Sequence, residues 1–152
     1  SAAIKPHKTK NHSRITSKEL PQLLHDIDNY NGHITVKLGL WFLCYTFVRT
    51  NEIRFMEWSE IDWNEKIWRI PADKMKMDRP YIVPLATQVI DILQQIRELN
   101  FSEQYVFYNP YTRKPYSQNA FINALYQMGY KYKMTGHGFR GLASTTLHEQ
   151  VY

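Results

Sequence analysis

Apolar residues first recur at helical spacing in "TSKELPQLLHDIDNY", residues 16–30, where Leu20, Leu23, Leu24 and Ile27 share one face. Thr16 and Glu19 stand at capping-box spacing, so the pattern predicts a helix opening there. "NGHI" interrupts the period. "TVKLGLWFLCYTFV", residues 35–48, is apolar nearly all round, which predicts a central helix buried on several sides. A shorter helical piece, "NEIRFMEW", follows Arg49.

The period then shortens. "EIDWNEKIWRIP" holds two β-prone runs around Asn64-Glu65-Lys66, a hairpin signal. "KMKMDRPYIVPL" adds a turn and a third run, Tyr81 to Val83, closed by Pro84. Helix returns in "TQVIDILQQIREL", where Ile90, Leu93 and Ile96 recur at helical spacing. "YVFYNPYTRKPYS" reads as a short strand and loop, and "SQNAFINALYQMGY" as another amphipathic helix leading to "KYKMTGHGFR". The predicted fold class is mainly α with a small three-stranded antiparallel β-sheet, an α+β arrangement. A basic leader over residues 1–15 precedes one domain over 16–152.

The chain has 152 residues, enough for one domain with its own core. Lys37 and Arg49 bracket the longest apolar run, so it is too short for a membrane span, and the first residues carry no secretory signal pattern. Cys44 is the one cysteine and lies in apolar sequence; it can form no internal disulfide, and a reducing cytoplasm is the expected location. The net charge is +5, partly because Lys5, Lys8, Lys10 and Arg14 precede any acidic residue. Such a leader is most often a solvated tail, and contact with nucleic-acid phosphate is the sharper alternative.

Candidate chemistry centres on four residues. Arg49 follows the most apolar helix. An arginine there ordinarily caps carbonyls or pairs with a carboxylate, here Glu52. Beside a buried helix it keeps its proton and needs an anionic partner, for which a phosphate serves equally well. Lys76 lies in the turn between the second and third strands, crowded by Lys74, Asp78 and Arg79. A turn lysine is ordinarily solvent-exposed; a basic turn tip is also a good probe of a DNA groove. His137 and Arg140, in "TGHGFR", stand three apart at a helix entry and share a face, with Gly136 and Gly138 allowing close backbone approach. His137 and His148 are too far apart to begin a metal site, and Ser144 has no nucleophile-elbow motif around it.

Taken together and in order, these segments resemble the tyrosine recombinases, specifically the phage- and island-type integrases. "TFVRTNEIRFMEWSEIDW" is similar to that family's first arginine box, "IPADKMKMDRPYIVPL" to its β-hairpin lysine segment, and "HGFR" to its histidine-x-x-arginine box. Phe47 departs from the glycine common at its position. The resemblance implies a recombinase catalytic-domain fold and DNA cleavage and rejoining through a 3′-phosphotyrosyl link, with no metal or nucleotide cofactor. It assigns Arg49 and Arg140 to the phosphate oxygens, Lys76 to protonation of the leaving 5′ oxygen, and His137 to supporting the phosphate and proton transfer. Glu52 matches a family position and is read as orienting the arginine region. Lys74, Arg79, Arg113, Lys114, Lys131 and Lys133 are candidates for backbone phosphate contacts.

Two family parts find no match: a second histidine or tryptophan after the H-x-x-R box, and the tyrosine nucleophile. If the helix runs unbroken from Arg140, Tyr152 stands about 18 Å away along it, too far to share one phosphorus atom. The expectation is therefore an incomplete catalytic domain that binds double-stranded DNA without cleaving it, and is monomeric in solution. Full-length relatives would act as DNA-bound tetramers. A remnant serving only as a DNA-binding or regulatory module is the alternative. A helical structural protein without a nucleic-acid role would leave the ordered boxes to coincidence.

Overall fold

Pro21 sets the start of the first helix. The computed structural model describes residues 18–46 and 48–130. Helix α1 spans Leu20–Asp28 with Glu19 at the N-cap and Pro21 in its first turn, where a missing N–H costs nothing. The start falls later than the capping-box spacing implied; Thr16, like the whole leader, lies outside the described residues. Leu23 and Ile27 are fully buried.

Helix α2, Ile34–Tyr45, carries the core: Leu40, Phe42 and Leu43 have no exposed surface. One side stays open, however. Ile34 and Tyr45 are exposed, Trp41 stacks on Tyr45, and the Lys37 ammonium reaches the Asp28 carbonyl at 2.6 Å. Gly39 is needed where it stands, because the Phe121 ring occupies the space a Cβ would fill. The following helix α3 is one turn, Thr50–Ile53, shorter than the sequence pattern suggested. After it the chain passes through a 3₁₀ turn, Trp58–Glu60, in which the Glu57 N–H donates to the Glu60 carboxylate at 3.0 Å.

The three-stranded antiparallel sheet has the order β1 (Ile61–Asp62), β2 (Ile67–Ile70), β3 (Tyr81–Pro84). Trp68 pairs with Ile61 on one side and Val83 on the other. The β1–β2 turn is held by Asp62 Oδ1, which accepts the N–H groups of Asn64 and Glu65 at 3.1 and 2.9 Å. β3 continues through Pro84, which pairs with Ile67; an edge strand tolerates the absent donor. Between β2 and β3 the chain does not make a simple turn. It forms a one-turn helix α4, Ala72–Met75, closed by Lys76 in the left-handed conformation (φ 53°, ψ 42°).

Helix α5, Thr87–Leu99, buries Val89, Ile92, Leu93 and Ile96, while Ile90 is half-buried. The "YVFYNPYTRKPYS" segment pairs with itself as β4 (Tyr108–Asn109) and β5 (Lys114–Pro115), where one strand was expected. Helix α6, Gln118–Leu125, runs into a wider π-type turn over Tyr126–Tyr130. At the centre, Phe42 meets Trp68 and Phe107 edge-on, and Phe107 meets Phe121 at 89°. The core thus joins α2, the sheet and α6, and it fixes the loops at one end of the molecule.

Candidate functional site

Arg49 is the N-cap residue of α3, exposed and in extended backbone. Only half a capping box can form there, because a guanidinium has no acceptor. The half that forms is Glu52 Oε2 receiving the Arg49 backbone N–H at 3.0 Å. Glu52 therefore holds the backbone of Arg49, and among the described residues no carboxylate pairs with its guanidinium.

An open cleft of about 500 Å³ joins this helix start to α4. Arg49, Thr50, Asn51 and Glu52 line one side, Lys74, Met75 and Lys76 the other, and Gln118 at the start of α6 completes the wall. Arg49 and Lys76, 27 positions apart in sequence, thus open into the same space. Among the described residues, no carboxylate lies within ion-pair distance of either cation. Two such charges facing one hydrated cleft attract a multivalent anion. A tetrahedral phosphate is such an anion, since guanidinium and ammonium together can satisfy several of its oxygens.

Lys74 lines the same cleft but is engaged differently. Its ammonium donates to the Phe55 carbonyl at 2.8 Å, to Glu57 Oε2 at 2.7 Å and to Glu60 Oε2. Those acceptors match the three donors of an ammonium, so the phosphate contact expected for Lys74 would have to break one of them. The acceptors are themselves fixed. Gln104 Nε2 donates to Glu57 at 2.9 Å and Trp68 Nε1 to Glu60 at 3.0 Å. Hydrogen bonds from Lys74 and then Gln104 hold the Glu57 carboxyl below its ordinary range. Partial burial works against the charge of Lys74, but its hydrogen bonds to Glu57 and Glu60 outweigh this and raise its pKa.

This network was missed as chemistry. Its signal was the "E-W-S-E" spacing, which sets two carboxylates three residues apart just before a strand, with a lysine after the next strand. Gln118 gave no signal.

Of the other basic candidates, Arg79 is exposed between α4 and β3, and Arg113 and Lys114 are exposed at the β4–β5 hairpin. The Arg113 N–H donates to the Asn109 carbonyl at 2.9 Å, and its φ of 57° tightens the turn. His137, Arg140, Lys131 and Lys133 lie outside the described residues, as do Phe47, Ser144, His148 and Tyr152. The tyrosines whose acidity shifts, Tyr30, Tyr116 and Tyr130, all move upward with burial as the first cause, away from an activated nucleophile. Burial likewise pushes the Cys44 thiol up to about 12. Among the described residues, no helix is long and apolar enough to cross a membrane, and no group of three His, Cys, Asp or Glu side chains could hold a metal.

Comparison with known proteins gives a consistent set of relatives. The model of the phage integrase family matches residues 13–152. Protein IntB of Escherichia coli strain K12 is 35% identical over 147 residues, which cover 87% of this chain and 37% of IntB. The integrase of Enterobacteria phage P4 is 31% identical, covering 97% of this chain and 37% of its own length. The chain therefore spans under two fifths of the length of either relative. Among solved structures, XerA recombinase superposes with a TM-score of 0.70 at 20% identity, over 91% of this chain and 50% of that one. A lambda integrase dimer bound to a COC′ core site gives 0.70 at 17% identity, over 99% and 56%. These two likenesses show the fold.

Proposed function

Because the chain belongs to the phage integrase family, we propose that it is the phosphate-binding part of a site-specific DNA recombinase. The observation that carries this reading is the pairing of Arg49 and Lys76, two cations without carboxylate partners among the described residues, in one cleft. Its ligand is the scissile phosphodiester of double-stranded DNA. In the cleavage step a tyrosine hydroxyl passes its proton to His137 and attacks phosphorus, a bond from its oxygen to phosphorus forms, and the P–O5′ bond breaks. Negative charge builds on the non-bridging oxygens, where Arg49 and, from outside the described residues, Arg140 and His137 bind it. Lys76 gives its proton to the departing 5′ oxygen. Glu52 keeps the backbone of Arg49 in register with the cleft.

Arg79, Arg113 and Lys114, all exposed, would add sequence-independent contacts to neighbouring phosphates, and Lys131 and Lys133 are assigned the same role from sequence alone. The chemistry uses no metal or nucleotide cofactor. A DNA-bound assembly with further recombinase protomers is the working form, as in the lambda integrase tetramer seen on a Holliday junction. The 152-residue polypeptide by itself is a monomer that binds duplex DNA and forms no covalent adduct, since none of its tyrosines sits in a nucleophile motif.

The reading is tested by fluorescence anisotropy with a labelled duplex and by incubation with a nicked suicide duplex. Arg49→Ala should weaken binding and flatten its salt dependence by about one contact's worth. Unchanged affinity in Arg49→Ala would remove the phosphate assignment, and a covalent protein–DNA band would overturn the inactivity of the polypeptide.

A further inference from the structure

Lys76 sits at the end of a four-residue helix, and such a turn has little stability of its own. Something outside α4 must therefore fix where the Lys76 side chain starts. Backbone bonds from Lys76 N–H to the Asp73 carbonyl (3.3 Å) and from Met77 N–H to the Ala72 carbonyl (3.0 Å) close the turn on itself, but they do not anchor it to the domain. Met75 packs half-buried against the core, and the polar anchor is the Lys74 ammonium. It reaches across to the Phe55 carbonyl, Glu57 and Glu60, on the segment that leaves α3. Helix α3, which that segment follows directly, is capped at its start by Arg49. One ammonium therefore links the turn carrying Lys76 to the element carrying Arg49.

The acceptors are suited to this task. The Glu60 side chain is only 6% exposed and is also bonded by Trp68, whose ring lies in the core. Glu57 is braced by Gln104, which lies on the α5–β4 connection. A lysine meant for DNA would keep donors free toward the cleft, whereas here every donor has a protein acceptor within hydrogen-bond reach.

We propose that Lys74 is a positioning residue for Lys76: bound to Phe55, Glu57 and Glu60, it sets the α4 turn so that Lys76 faces the phosphate held by Arg49. This rests on the reading of Lys76 as a phosphate-facing group. It assigns Lys74 a role distinct from the direct phosphate contact that its charge alone suggested.

The test is a double-mutant cycle on DNA affinity, measured on this chain by anisotropy over a range of salt concentrations, with melting temperatures as the check of folding. Lys76→Ala should weaken binding roughly threefold in moderate salt, the contribution of one phosphate contact. Lys74→Met should cause the same loss, and the double variant no more than either single one. Lys74→Arg, which can keep the carboxylates engaged, should restore affinity. The salt slope should fall by about one in either single variant and not by two in the double.

Losses that multiply in the double variant, with the slope falling by about two, would overturn the proposal and make Lys74 a direct contact. Native affinity in Lys74→Met alongside a weakened Lys76→Ala would overturn it too, leaving the phosphate reading intact. Native affinity in Lys76→Ala would overturn that reading itself. If Lys74→Met does not fold, the same cycle is run with Glu57→Gln, which leaves Phe55 and Glu60 to hold the ammonium. Coupling to Lys76→Ala supports positioning and strict additivity refutes it.

Discussion

Tyr130 donates its hydroxyl to the Asp26 carboxylate at 2.6 Å, joining residues 104 positions apart. The bond fastens the turn after α6 to α1. Hydrogen bonds from Tyr130 and then Gln22 hold Asp26 below its ordinary 3.8. Burial and then the bond to Asp26 raise Tyr130. Asp26 contributes stability that is complete above 3.8 and is lost as pH falls through its lower folded-state value. Tyr130→Phe should lower stability by about 1 kcal/mol at neutral pH, and the difference from the parent should shrink in acid. Urea unfolding at the two pH values checks both parts.

Gly39→Ala should destabilise the domain by about 1–3 kcal/mol despite the better helix propensity of alanine, since the new methyl must displace the Phe121 ring. Combining it with Phe121→Leu should recover part of the loss. Equal stabilities for Gly39→Ala and the parent in thermal unfolding would show that the ring has room to move.

The Lys74 network has its own pH window. Glu57 is depressed, so its contribution is complete above 4.5 and is lost as pH falls through the folded value. Lys74 is raised, so its contribution is complete below 10.5 and is lost as pH rises through the folded value. Glu57→Gln should therefore flatten the acid limb of the stability profile while leaving most of the alkaline limb, as read from melting temperature against pH.

Glu52 acts through a single acceptor on the Arg49 N–H. Glu52→Gln keeps an acceptor and should bind DNA about as well as the parent. Glu52→Ala removes the cap, at a cost of about 0.5–2 kcal/mol, and should weaken binding without changing the salt slope. A slope change in Glu52→Ala would mean that the carboxylate bears on the phosphate site directly.

Helical periodicity was enough to find α5 and α6, because their apolar faces pack against the core and the sequence repeats that demand every third or fourth residue; α2 was legible instead as a run apolar nearly all round. Periodicity overextended α3, since Phe55, Met56 and Trp58 supply apolar positions like those of a helix face, yet the chain there turns away to meet Gln104 and Tyr105. It could not find α4 at all. A one-turn helix has no period to detect, and what holds it, beside the packing of Met75, is a lysine bonded to residues 14 to 19 positions earlier. The candidate site divides the same way. Ordered boxes single out Arg49 and Lys76 in the sequence, whereas the cleft that both line is visible only in the fold. Lys74 was grouped with the phosphate contacts because charge is visible in a sequence and donor saturation is not.

The strand β3 is bracketed by Pro80 and Pro84, and at the other margin of the sheet β1 is only two residues long. Neither border offers a run of free backbone donors on which a foreign strand could grow, although Ile82 presents an apolar side chain at that edge. The sheet is thereby spared edge-to-edge aggregation with a second copy of the chain, so any encounter between copies falls to other surfaces.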